Sequence, residues 1–127
     1  MPVVWSAPVR FAECDQQGVA FNAHYLTWAD EAVNAWWAAA GLPYGSLAAW
    51  GVEYLVKATA LDWVSPARYG DTVSVDAELA ALGRTSLTLR FTVRAGDRVC
   101  CTITTTYVAT TGGRPAPWPA EVRARIS

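Results

Sequence analysis

Histidine is nearly absent from this chain: His24 is the only one in 127 residues. The three cysteines, Cys14, Cys100 and Cys101, have no zinc-ligand spacing, so no metal centre is expected. No apolar run approaches the ~18 residues of a membrane span. There is no polybasic run either. With a net charge of −1 and a pI near 5.7, a general nucleic-acid binder is excluded, while capture of one phosphorylated group is not. The opening Met-Pro-Val-Val-Trp has no positive region followed by an apolar one and does not read as a signal peptide. Cys100 and Cys101 are neighbours on a strand-like run and face opposite ways, which prevents a bridge between them. An odd number of unpaired thiols points to a reducing, cytoplasmic location.

What the chain has in quantity is apolar and aromatic surface. Hydrophobic residues make up 53%, and seven are Trp. That suffices for one domain spanning 1–127 with a substantial core, and leaves some Trp for a pocket or a subunit interface. Residues 8–14 alternate in polarity and predict a short strand. Asp15-Gln16-Gln17-Gly18 predicts a turn, with Gly18 free to take positive φ. From His24 to Ala40, Tyr25, Trp28, Ala29, Ala32, Val33, Trp36 and Ala40 recur every three or four residues. They predict a long amphipathic helix with Asn22 as N-cap and a stop at Gly41 and Pro43. Strands follow over 52–64 (Val52, Tyr54, Val56, Ala58 and Ala60 on one parity), 72–81, 85–95 and 98–109, then an irregular tail with a final turn at 119–125. The class is α+β: one long central helix wrapped by a five-stranded antiparallel sheet, with open edges that favour pairing with another subunit.

The run Arg10-Phe11-Ala12-Glu13-Cys14-Asp15-Gln16-Gln17-Gly18-Val19-Ala20-Phe21-Asn22-Ala23-His24-Tyr25-Leu26 resembles the hydroxybenzoyl-CoA thioesterase family of hotdog proteins. That family shows an aspartate, two variable residues, a glycine, and then a Tyr-Leu opening the central helix. Ser65-Pro66-Ala67-Arg68-Tyr69-Gly70-Asp71 resembles its Pro-x-Arg-Tyr-Gly-Asp connection, and Gly83-Arg84-Thr85-Ser86 a familiar turn. The likeness covers roughly residues 8–110. It implies edge-to-edge dimers, often paired into homotetramers, with active sites at the dimer interface. It also implies an acyl- or aroyl-thioester of CoA or of a carrier protein as substrate, with no metal or other cofactor. Two subgroups carry His at the positions of Asn22 or Val19. Here the sole His stands at position 24.

Thioester hydrolysis needs a nucleophile or activated water, and donors for the charge that grows on the carbonyl oxygen. The front of a helix supplies such donors as free amides. Asp15, one loop ahead of the helix, becomes the candidate nucleophile or general base, and the Asn22 amide the candidate oxyanion donor. Gly18 would allow close backbone approach. The plainer readings are a turn carboxylate for Asp15 and a helix cap for Asn22. Glu31 and His24 are further candidates at the substrate, and a Cys14–His24 pair is a rival nucleophile. Arg84, with Thr85 and Ser86, is the preferred phosphate contact, followed by Arg68, and Lys57 and Arg90 are other cations able to serve. Trp28 and the other Trp, with Tyr54, shape either core or acyl pocket, and their abundance favours an aromatic or bulky acyl group. Two rival activities stand beside hydrolysis: an enoyl-thioester hydratase or dehydratase, which needs a well-placed His and a carboxylate, and a non-catalytic acyl-thioester binder.

Overall fold

A computed structural model of the chain describes residues 2–127. The elements are β1 (Val3–Pro8), α1 (His24–Ala39), β2 (Glu53–Trp63), β3 (Thr72–Leu82), β4 (Ser86–Ala95), β5 (Arg98–Thr111), β6 (Arg114–Pro115) and α2 (Ala120–Ile126). The strands form one antiparallel sheet in the order β1-β3-β4-β5-β2, with β6 paired to β5. The sheet has six strands, not five. Gly112 and Gly113, both at positive φ, fold the chain back so that Thr111 faces Arg114. This is the two-residue turn that favours paired glycines.

The central strands follow their alternation. Val73, Val75 and Ala77 of β3, Leu87, Leu89, Phe91 and Val93 of β4, and Cys101, Ile103, Tyr107 and Ala109 of β5 are all buried. The helix lies against this face with Tyr25, Trp28, Ala29, Ala32, Val33 and Trp37 buried. At 16 residues it is about 24 Å long. That is short beside the 14 residues of β5, which extend about 46 Å. The remaining apolar surface is covered at the other end by Trp118, Val122 and Ile126, with Trp118 against Trp37 at 5.6 Å.

Gly41 ends the helix at φ +83. Its amide donates to Ala38 O and the Leu42 amide to Trp37 O, the paired bonds of a Schellman motif. A Cβ here would sit 3.3 Å from Arg125 Nη1 in a backbone region that L-residues avoid. Gly41→Ala is therefore expected to cost about 1–2 kcal/mol, read from urea unfolding midpoints.

Two expectations need correction. The first strand is Val3–Pro8, not 8–14. Residues Phe11–Glu13 instead form a single 3-10 turn, because the Glu13 carboxylate folds back to accept the Arg10 amide at 2.7 Å and closes a capping box. Phe11, grouped with Val9 by its apolar character, is 78% exposed, and Glu13, grouped roughly with Arg10 by its polar character, is buried. Secondly, β2 changes parity. A bulge between Val56 and Ala58 leaves Lys57 unpaired. Beyond it Thr59, Leu61 and Trp63 stand opposite Thr105, Ile103 and Cys101 on the helix side, while Ala58 and Ala60 move to the other face.

Candidate active site

The loop before the helix is a small hairpin. Cys14 and Ala20 form a bridge at its base, and the Asp15 amide donates to Val19 O at 3.0 Å. At the tip the Gly18 amide donates to Asp15 O at 3.0 Å, and Gly18 itself is at φ +74. The Asp15 carboxylate accepts the Gln17 amide at 2.8 Å. This is the Asx turn of the plainer reading. It engages one oxygen and leaves the side chain exposed.

The far side of the hairpin joins the connection between β2 and β3. Val19 bridges Arg68, the Tyr69 amide donates to Gly18 O at 3.0 Å, and the Ala20 amide donates to Ala67 O at 2.8 Å. The buried Tyr25 hydroxyl accepts the Ala67 amide at 3.0 Å, which ties the first turn of α1 to the same connection. The connection is braced in turn by Arg98, which donates to Ser65 Oγ, Pro66 O and Asp71 Oδ2. Asp15, Gly18, Asn22, His24 and Arg68 thus gather at one end of the sheet. Phe11 and Tyr69, edge to face at 5.8 Å, and Phe21 add exposed aromatic surface there.

The helix front differs in detail from expectation. Ala23, not Asn22, occupies the N-cap position, it is already helical in φ and ψ, and no side chain caps it. The amides of His24, Tyr25 and Leu26 donate to the carbonyls of Phe21, Asn22 and Ala23. The donors that this pattern leaves for a ligand are the amides of Asn22 and Ala23. His24 opens the helix half-buried, its ring edge-on to Phe21 at 6.5 Å.

Arg84, Thr85 and Ser86 lie elsewhere. Their turn follows β3, whose 11 residues run about 35 Å from the connection at 65–71. The C-terminal segment clamps this turn: Trp118 Nε1 donates to Ser86 O and Arg123 Nη1 to Gly83 O. Within one chain, Arg84 and Asp15 are at opposite ends of the sheet. Arg84 and Arg68 are both exposed.

At the Arg84 end, two neighbouring cavities of about 440 and 490 Å³ open between α1, the segment 42–48 and the start of β2. They share Asn34, Tyr44 and Tyr54. The larger also takes Asp30, Glu31 and Tyr107. Burial, then the neighbouring Glu31, raises the Asp30 carboxyl above its usual range. Burial, then Asp30, raises the Tyr54 and Tyr107 hydroxyls. Asp30, Val33, Asn34 and Trp37 follow helical spacing on one face, a signal that identifies Asp30 and Asn34 as pocket residues although the apolar stripe alone does not. Trp28 and Glu31 line a third cavity, of about 300 Å³, against β1. None of these three cavities touches Asp15.

The cysteines are unpaired. Partial burial and the flanking Glu13 and Asp15 carboxylates raise the Cys14 thiol, which disfavours the thiolate a Cys14–His24 nucleophile would need. Burial, then Asp62, pushes Cys101 up to about 11. Among the described residues no three His, Cys, Asp or Glu side chains come together as a metal site, and no helix is long and apolar enough to cross a membrane.

These elements and their order are those of the hotdog proteins, and the chain belongs to the thioesterase-like superfamily, whose family model matches residues 9–126. Among solved structures, a hypothetical protein from Thermus thermophilus is 30% identical, with a TM-score of 0.92 over 98% of this chain and 97% of that one. A thioesterase from the same organism, solved with coenzyme A and zinc, is 29% identical, with a TM-score of 0.86 over 96% and 89%. A 1,4-dihydroxy-2-naphthoyl-CoA thioesterase from Synechocystis is 18% identical, with a TM-score of 0.86 over 98% and 94%, and shares the fold. Among curated proteins, none matches.

Proposed function

We propose that this protein hydrolyses an acyl- or aroyl-CoA thioester to the free acid and CoA in the cytoplasm, with Asp15 as nucleophile or general base. The observation that carries the reading is the seating of the Asp15 hairpin at the front of α1, beside the Asn22 and Ala23 amides. There a thioester carbonyl would meet a carboxylate on one side and two N–H donors on the other. Coenzyme A bound to the 29% identical thioesterase supports a CoA thioester as substrate. No step in this scheme calls on a metal or cofactor, since carboxylate and amides supply both the attacking group and the charge stabilisation.

The site takes its missing walls from a second subunit. β2 is an open edge, and Leu55, Val56, Trp63 and Val64 beside it are exposed apolar residues. Pairing two β2 edges antiparallel about a two-fold sets the Leu55 end of one chain beside the Trp63 end of its partner. The partner's 490 Å³ cavity and its Arg84 turn then come to the Asp15 hairpin. The product is a homodimer, with pairing of dimers into a homotetramer open to it. The phenols and the Asp30 carboxyl favour an aroyl or other bulky acyl group in that cavity.

Thiol release measured over benzoyl-, phenylacetyl- and straight-chain acyl-CoAs tests the reading. Turnover is expected with the aromatic thioesters ahead of long straight chains. Hydration of crotonyl-CoA without free thiol would point to a hydratase, and binding of thioesters with no turnover would point to a non-catalytic binder.

A further inference from the structure

Glu13 is a carboxylate removed from water with no part yet in the chemistry. It is 3% exposed, two residues ahead of Asp15, at the base of the hairpin. Oε1 accepts the Arg10 amide at 2.7 Å. Oε2 accepts Trp28 Nε1 at 3.0 Å and Arg10 Nη2 at 3.3 Å. Its backbone carbonyl accepts the Phe21 amide at 2.9 Å, across the closing end of the same hairpin. Burial alone would raise this carboxyl. The bonds from Arg10 and Trp28 outweigh it and hold the group below its ordinary value, as an anion.

A buried anion with three donors is costly to build and costly to break. These donors join two bodies. Arg10 belongs to the strand exit and Trp28 to the second turn of α1, so Glu13 fastens the stem of the Asp15 hairpin to the helix whose front offers the Asn22 and Ala23 amides. The stem has no other side-chain bond to that helix among those described. The base of the hairpin fixes the tip, and a carboxylate displaced by about 1 Å from its attack position costs on the order of 10²-fold in rate.

We infer that Glu13 is a positioning residue: through the Trp28 indole it sets the distance between the Asp15 carboxylate and the amides at the start of α1. This rests on the reading of Asp15 as the catalytic carboxylate. Asp15 touches the thioester; Glu13 does not.

The test uses Glu13→Gln and Trp28→Phe, singly and together, with Asp15→Asn alongside, on the fastest thioester of the panel. Glu13→Gln keeps the shape but has one acceptor oxygen for two sites, so its amide N–H must face either the indole N–H or the Arg10 amide. Trp28→Phe keeps an aromatic ring, removes the donor and leaves a small cavity in the core, whose cost the melting temperature reports. Each is expected to lower kcat, by about 10–100-fold for Glu13→Gln and less for Trp28→Phe, with KM within about twofold. Because both act on the one bonded cluster of Arg10, Glu13 and Trp28, the double variant should fall little below Glu13→Gln rather than multiply the two losses. Assays run well below each variant's own melting temperature, so a role in stability alone would move the melt and leave kcat in place. If Asp15→Asn is inactive while both variants keep wild-type kcat, or if their losses multiply as independent effects, the positioning role is wrong and the reading of Asp15 stands. If Asp15→Asn retains turnover, that reading falls and the role of Glu13 falls with it.

Discussion

Asp15→Asn is expected to reduce thiol release by on the order of 10³-fold or more while leaving the fold and its stability within about 0.5 kcal/mol of wild type. The separation follows from how the side chain is held. Asp15 accepts the Gln17 amide through one carboxylate oxygen, and the side-chain oxygen of Asn accepts the same amide in the same Asx geometry. The backbone bonds at Val19 and Gly18 do not involve the side chain and are unchanged. The substitution removes the negative charge and the second oxygen, the parts needed to attack a carbonyl or deprotonate water. Thiol release gives the rate, and circular dichroism with a urea titration gives the fold. Turnover close to wild type would leave Asp15 as a turn residue and nothing more. Loss of fold together with activity would show that the charge was structural.

The chemistry-bearing hairpin was legible in the sequence because its signals are local. An aspartate two residues before the amide it accepts, and a glycine at positive φ three residues on, specify a turn without reference to the rest of the chain. The helix end at Gly41 is legible for the same reason, and β4 and the first half of β3 because one face of each is buried there. What was hidden depends on partners. Glu13 is a charged residue in a run that looks like a strand, and only the folding back of its carboxylate to Arg10 and Trp28 shows that the run is a turn with a buried anion. The bulge at Lys57 leaves no mark in β2 itself, since parity is defined against β5. Asn22 looks like a cap by residue type, yet the chain turns helical one residue later. The length of β3 does carry information that motif order alone does not. Eleven extended residues between Asp71 and Gly83 require that the Arg68 connection and the Arg84 turn sit at opposite ends of the sheet.

That separation has a large consequence for mixed subunits. If one chain supplies Asp15 and the other supplies the groove around Asn34, then two inactive variants are expected to restore one another. Asp15→Asn removes the carboxylate and keeps the groove. Asn34→Trp does the reverse: Asn34 is exposed on α1 and borders both cavities, so an indole there fills the groove without entering the core. Each homodimer should show little turnover of an aroyl thioester. Co-refolded in equal amounts, half of the dimers are mixed. Each mixed dimer then has one site with Asp15 from the Asn34→Trp chain and the open groove from the Asp15→Asn chain, while its other site lacks both. Activity should therefore rise to about a quarter of wild type, the value random pairing of a two-fold dimer sets. A site contained in one chain predicts no recovery, because every chain in the mixture then carries its own defect. Refolding each variant by itself controls for gains unrelated to exchange, and a mass measurement in solution reports whether mixed dimers have formed.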